Sequence, residues 1–420
     1  MISIVHHTIQ CIWSLVALFS ICTAAPQPIV TQPLAPPVTN PLDRSIPTKL
    51  ISGRQEIPVC TTLPLSGEIS ILGNQVLDGM SLFFNKVQRE SNPPPFFYSL
   101  KALDDQADVK LSRTNINQLL QQTQSPLFLS ILNTDTVEST LYHITDKTIL
   151  SLFPLEGALQ FRKQEYKNLI YFRANYDDEI RALVHYTAKT LNKKKIALFY
   201  EESAWGLAGL ESVKRILAEY KLPLAIAISY PQRTLRVAYA AKKIARKAPT
   251  AIICIAHARP AYNFIQQIIN QGLYTTAILG LSSLFSIQST LKKSRGANII
   301  IASVVPDPTK SQLPIAQEYR ADMQKYTPFK TLSPFSFEGY INAALLVECT
   351  KLVPFPLTMG KLINVIEGLK NVNFKGLTLN FANHSLSQNV WLNTGDEREW
   401  FLSPTTTKQQ EKIQINTGKS

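Results

Sequence analysis

Glu156 stands where a carboxylate could meet a ligand. It follows an apolar run, residues 148–153, that stops at Pro154, and Gly157 comes directly after it. The pattern is a buried strand ending in a tight loop with an acid at its tip. In open α/β sheets, ligands bind beyond the carboxyl ends of the strands. A carboxylate so placed would pair with an ammonium or a guanidinium. The alternatives are a Glu turned to solvent or one with an internal partner such as Arg162, because a buried charge without a partner is costly. Other strand ends also carry polar groups. Ser66 and Gly67 close the first strand, where glycine lets the backbone approach closely and a helix N-terminus attracts anions; a plain N-cap explains them equally well. Asn133, Thr134 and Thr136 stand at a helix start after the third strand, where capping is compatible with binding. His257 and Arg259 follow an apolar run at 251–256, and Ser282 and Ser283 follow another at 277–281. A lone His in such a place is more often structural than a ligand contact.

Other chemistry-bearing residues point away from catalysis. Asp104 and Asp105 are adjacent on a strand, so their side chains leave opposite faces and make poor joint metal ligands. The paired acids Asp177, Asp178 and Glu201, Glu202 begin helices, where negative charge is favoured anyway. Nucleophile-elbow, phosphate-loop, zinc-protease and dinucleotide signatures are absent from the sequence. Asn383-His384-Ser385 matches a glycosylation sequon at chance level. The expectation is a protein that is not an enzyme and uses no cofactor or metal.

The elements that must position these residues alternate. Strands are expected at 57–63, 96–103, 127–132 and 148–153, with amphipathic helices at 72–88, 109–122 and 136–144 between them. A second series begins near residue 169. It places strands at 195–200, 222–229, 251–256, 277–281 and 299–305, and helices at 178–191, 207–220, 237–246, 261–271 and 284–293. Three further helices fit 314–326, 336–352 and 359–369, and a last pair of strands fits 377–381 and 389–393. Such alternation means βαβ units and parallel sheets. At 420 residues the chain is long enough for two lobes, since single cores stop growing near ~250–300 residues.

Hydrophobic content of 45% and charged content of 17% are ordinary for a globular protein. Residues 12–22 form an apolar core too short to span a bilayer, followed by small residues, with cleavage expected after Ala24. The stretch reads as a secretory signal, although residues 1–11 hold His6 and His7 and no Lys or Arg. Bulky Ile21 before Cys22 argues against lipid attachment. Residues 25–55 read as a proline-rich linker, stiff and unpacked. Beyond the leader, Cys60, Cys254 and Cys349 sit in apolar surroundings and read as small hydrophobes. The formal charge of +13 is spread over clusters at 193–195, 242–247 and 292–295 without aromatic interleaving, so solvated faces, and no nucleic-acid partner, are expected.

In order and spacing, TTLPLSGEISILGNQVLDGMSLFFNKV, FPLEGALQFR with YFRANYDDE, IALFYEESAWGLAGLESV, and SVVPDP with FEGYINA resemble the type I periplasmic solute-binding proteins, in the branched-chain amino acid-binding branch that serves ABC importers. The resemblance covers residues 57–391. It implies an α/β, two-lobed type I periplasmic-binding-protein-like fold, each lobe a parallel sheet flanked by helices, joined by three hinge crossovers near 173–175, 303–306 and 369–374. The implied boundaries are 1–24 signal peptide, 25–55 linker, 56–172 with 306–400 lobe one, 173–305 lobe two, and 401–420 tail. Carried over residue by residue, Leu72 would line an apolar wall, and Leu155, in the loop before the first crossover, would be a ligand contact. Asn133, Thr134 and Thr136 would hold a ligand carboxylate, and Glu156 would stand where relatives have a hydroxyl beside the ligand's amino group. Trp205 would stack on the ligand or face a cation, with ordinary packing as the alternative. His257, Ser282 and Ser283 would grip from the second lobe, where relatives carry an acid that this chain lacks. Glu338 reads first as structural. The implied function is periplasmic capture of a small amino-acid-like ligand by a monomer for an ABC permease. The alternative is a sensing or protein-interaction module on the same fold that has lost transport-type binding.

Overall fold

The alternation of apolar runs resolves into two sheets. In the computed structural model, residues 41–51, 53–90, 95–287, 298–394 and 400–402 are described. The expected signal, the linker up to residue 40, the basic cluster at 292–295 and the tail beyond 402 lie outside them.

A short strand, β1 (Lys49–Ile51), runs antiparallel to the start of β2 (Arg54–Leu63). Then come α1 (Ser70–Arg89), β3 (Phe96–Asp104), α2 (Val109–Thr123), β4 (Leu127–Leu129), α3 (Thr134–Thr145), β5 (Leu150–Leu152) and β6 (Leu169–Ile170). The parallel strands lie in the order β3-β2-β4-β5-β6, with β1 on the β2 edge. Strands covered on both faces read as continuous apolar runs, and Leu127, Phe128, Leu129, Leu150 and Leu152 are all fully buried.

The second sheet repeats this winding. α4 (Tyr176–His185), β7 (Ile196–Glu202), α5 (Ala204–Glu219), β8 (Leu224–Pro231), α6 (Ala238–Ala245), β9 (Ala251–Ile255), α7 (Ala258–Asn270), β10 (Ala277–Gly280) and β11 (Ile299–Ser303) follow in sequence. The parallel order is β8-β7-β9-β10-β11. In both lobes the second strand lies outside the first, and the third lies on the first strand's other side. Each lobe therefore has a switch point, between β2 and β4 and between β7 and β9, where loops at the strand ends diverge and leave a crevice.

The chain then returns to the first lobe. α8 (Pro314–Tyr326) begins with proline at a position whose N–H would have no partner anyway. α9 (Pro334–Lys351), buried along almost its whole length, crosses α1 at a point where side chains are excluded. A Cβ on Gly79 would come within 1.8 Å of the Ser336 carbonyl oxygen, and one on Gly339 within 2.4 Å of that of Val76. α10 (Met359–Glu367) leads to a hairpin, β12 (Val372–Phe374) and β13 (Leu377–Leu379). β14 (Val390–Asn393) and β15 (Trp400–Leu402) finish the described chain. One apolar cluster runs continuously through both lobes.

Several expectations are corrected. β14 pairs antiparallel with β11 and β15 with β14, so residues 390–393 and 400–402 extend the second sheet, which is mixed, and do not belong with lobe one. The third passage between lobes lies near residues 384–389, not 369–374. There it runs beside the first passage: Tyr171 N donates to His384 O, Leu386 N to Tyr171 O, and Ser387 N to Phe172 O. The expected linker is packed from residue 41 onward, where Ile46 is buried and Ser45 bridges to Thr358. The helix expected at 284–293 is a 3-10 turn over Ser282–Ile287, the rest lying outside the described residues. Among the described residues, no helix is long and apolar enough to cross a membrane.

Candidate functional site

Both switch points open onto one pocket. Its free volume in this structure is about 50 Å³, room for a few waters. From lobe one come Ile69 and Leu72 at the start of α1, Leu132 and Asn133 after β4, Leu155 after β5, and Phe335 at the start of α9. Lobe two supplies Trp205 in the first turn of α5, His257 after β9, and Leu281, Ser282 and Ser283 after β10. Arg173 and Tyr176 close it from the first crossover.

Arg173 is 4% exposed and held by lobe two. Its Nη2 donates to Ser282 Oγ at 2.7 Å and to Glu179 Oε1 at 3.2 Å. Glu179 also accepts from the Ser282 amide at 2.8 Å and from its hydroxyl at 3.2 Å. On the other side, Arg173 Nε lies 3.7 Å from Glu338 Oε1 on α9, an ion pair without a hydrogen bond. Burial pushes the Glu338 carboxyl up to about 7, against the pull of Arg173 and with added repulsion from Glu179. Burial likewise raises Glu179, with Arg173 opposing.

The aromatic side of the pocket is a chain of rings. Trp205 lies 5.0 Å from the His257 ring and 6.3 Å from Tyr176, centroid to centroid. The Tyr176 hydroxyl pairs with Thr134 Oγ1 at 3.0 Å, tying this crossover residue to the start of α3. His257 sits 3.7 Å from Glu201 Oε1, and its backbone amide donates to the Tyr230 hydroxyl. Trp205 is 5% exposed, and its Nε1 has no partner.

Of the residues singled out from the sequence, Leu72, Asn133, Leu155, Trp205, His257, Ser282 and Ser283 come together around this pocket. Ser66, Thr134, Thr136 and Glu156 do not line it. Ser66 is exposed, its hydroxyl and amide given to Asp104, which also accepts from the Leu65 amide at 2.8 Å. Asp105 turns the other way, fully buried, and accepts from Thr62 and Ser112 hydroxyls. Thr134 and Thr136 are buried, Thr134 against the Tyr176 hydroxyl.

Glu156 is 1% exposed and points into lobe one. Its Oε2 accepts from the Ala158 amide at 2.6 Å, and Oε1 makes no well-formed hydrogen bond. Burial raises its carboxyl above the ordinary range, opposed chiefly by the Arg162 charge. Arg162 lies over the Tyr171 ring at 4.0 Å and donates to the carbonyls of Arg173 and Ala174. The reason Glu156 misses the pocket is strand alternation. Leu155 bridges Leu132 in parallel, so Leu155 takes the cleft face and its neighbour takes the other.

Sequence reasoning missed Arg173, which it treated only as part of a hinge, and Tyr176, to which it gave no role. The available signal was a cation directly after an apolar strand at a lobe crossover, a place where an unpaired charge is not tolerated without purpose. Among the described residues, no cluster of His, Cys, Asp or Glu could hold a metal. Cys60, Cys254 and Cys349 are buried and unpaired.

A family model described as "Periplasmic binding protein" matches residues 56–398. A solved structure of a possible leucine/isoleucine/valine-binding protein from Rhodopirellula baltica SH 1 superposes with a TM-score of 0.74 at 21% identity, covering 87% of this chain and 98% of that one. A branched chain amino acid ABC transporter protein from Thermus thermophilus, with bound valine, gives 0.70 at 16% identity, covering 84% and 96%. A solute-binding protein of an ABC transporter from R. palustris, in complex with benzoate, gives 0.70 at 16% identity, covering 82% and 95%. At these identities the likeness is one of fold. No curated protein sequence matches the chain significantly.

Proposed function

The chain belongs to the periplasmic binding protein family, and on that premise we propose that it captures a small amino-acid-like ligand between its two lobes and hands it to an ABC permease. The observation that carries this reading is the pocket itself, built from both switch points and from the crossover between them. A site shared by two lobes binds most tightly when they close, because closure buries the ligand and strengthens its polar contacts by excluding water. The apolar wall of Leu72, Leu155 and Phe335 fits a compact aliphatic or aromatic body, while Arg173, Asn133 and the serines supply polar contacts. Relatives of this fold hold valine in one case and benzoate in another, both small carboxylates with an apolar body. Export through the leader at 1–24, a periplasmic location, a monomeric state and lobe boundaries at the crossovers are parts of the same proposal.

A thermal-shift panel of amino acids, organic acids and amines tests it. A ligand that binds the folded chain stabilises it by RT ln(1 + [L]/Kd), about 2.7 kcal/mol at a hundredfold excess over Kd. An absence of any hit across the panel would count against capture and for the interaction-module alternative.

A further inference from the structure

The polar groups left unpaired around the pocket are predominantly donors. Trp205 Nε1–H is donor-only, buried and without a partner. Arg173 has only donors, and its buried Nε makes no hydrogen bond. The first turn of α3 opens on Asn133 without a side-chain cap, and Val137 makes the first amide bond back, to Asn133 O. The amides before Val137 therefore lack intrahelical acceptors, as at any helix start. A helix start by itself would say little. Beside it stand two donors without a hydrogen bond, Trp205 Nε1 and Arg173 Nε, the latter 3.7 Å from Glu338, on residues more than nine-tenths buried that line the same pocket.

Charged acceptors stand behind this surface. Among the described residues that line the pocket, none is Asp or Glu. Glu179 uses both oxygens on Arg173 and Ser282. Glu338 stands at Arg173 Nε and outside the lining. Glu156 points into lobe one, and Glu201 faces Tyr230 and His257. An α-ammonium brought here would be desolvated with no carboxylate to meet it, which is strongly unfavourable. A carboxylate would meet charge-assisted donors.

Resting on the capture reading above, we propose that the ligand is an apolar monocarboxylate without an α-amino group, its carboxylate received by Trp205 Nε1, Arg173 and the start of α3. The ligand keeps the apolar body and the acid of an amino acid and omits the ammonium. Trp205 and Arg173 thereby set specificity, against amino acids and for their amine-free counterparts.

Isothermal titration of the full chain with isocaproate, leucine and isoamylamine tests this, because the three share one branched body and differ only in their polar ends. Isocaproate should bind, with leucine and isoamylamine about thirtyfold weaker or worse, as expected for an unpaired buried cation. Trp205→Phe keeps the ring packing and removes the donor; it should weaken isocaproate about tenfold or more while leaving the ligand-free melting temperature within a few degrees. Leucine binding as tightly as isocaproate, or tighter, would overturn the inference and leave the capture reading standing. Tight isocaproate binding unaffected by Trp205→Phe would overturn the assigned anchor. Failure of isocaproate, hydrocinnamate and leucine alike, together with a blank thermal-shift panel, would overturn both readings.

Discussion

Two buried ionic groupings in this molecule have similar composition and opposite consequences. In the first, Glu156, Arg162 and Tyr171 lie inside lobe one, and Arg162 spends its donors on the backbone carbonyls of the first crossover. In the second, Arg173 joins Glu338 of lobe one to Glu179 and Ser282 of lobe two, and its guanidinium also borders the pocket. One grouping shapes the path of the chain. The other joins the two lobes at the first crossover. Function follows from which elements a charge connects, and the presence of a buried charge alone does not reveal it.

The sharpest way to break this contrast is to delete each arginine. Arg173→Ala leaves Glu179 and Glu338 facing each other without their shared cation, and losing one partner of a buried ion pair typically costs about 3–5 kcal/mol. Arg162→Ala removes donors from two buried carbonyls and the charge opposing Glu156, a loss nearer the ~1–3 kcal/mol of unsatisfied buried polar groups. Urea denaturation of both variants should rank Arg173→Ala as clearly the more damaging. Equal losses would mean that the spanning grouping has no special weight.

The pH dependence gives the second comparison. In the folded chain the Glu338 carboxyl is raised from 4.5 to about 7, with burial as the first cause and Arg173 and Glu179 as the charges facing it. The folded state then binds more protons than the unfolded state between those values, so stability falls as pH rises through that window and is flat above it. The span corresponds to about 3 kcal/mol of lost stability. Glu338→Gln should flatten the profile and make the variant relatively more stable at pH 8 than at pH 5. A slope unchanged by the substitution would assign the pH dependence to other groups, Glu179 first.

How far the sequence reaches can be judged at these same residues. The alternation of strand and helix was legible because buried parallel strands are continuous apolar runs, whereas the helix starts capped by Asn175 and Ser203 lie two to three residues before the expected ones. The strand ends that face the cleft were legible as well, since Trp205, His257, Ser282 and Ser283 all follow such runs. Three things were not. Residues 390–393 and 400–402 are short strands whose partners, β11 and β14, are set by tertiary pairing, which local pattern does not encode. The third crossover is held by backbone bonds between residues 384–387 and 171–172, and backbone bonding leaves no mark in side-chain types. The orientation of Glu156 depended on register, because a shift of one residue exchanges the two faces of a strand. Arg173 was visible as a residue but not as a ligand-facing one, since its partners lie at positions 179, 282 and 338, on different elements.

The smallest expected effect is at Glu156, and it bears most directly on what a carboxylate at a strand tip means. Its Oε2 accepts from the Ala158 amide, and a glutamine oxygen can accept the same bond. Its Oε1 makes no well-formed hydrogen bond, and the amide nitrogen that would replace it would face the Tyr171 hydroxyl and the Arg162 charge. Burial favours the neutral carboxyl, and glutamine is a neutral group of nearly the same shape. Glu156→Gln should therefore change isocaproate affinity by less than about twofold and stability at pH 7 by no more than ~1 kcal/mol. The variant should gain on the native chain as pH rises, because a raised carboxyl pKa destabilises the folded state above the unfolded value. Calorimetric titration and denaturation at two pH values measure both quantities. A tenfold loss of affinity would move Glu156 into the pocket and erase the distinction between the two groupings. An unchanged affinity would leave Leu155 as the residue through which that loop meets the ligand.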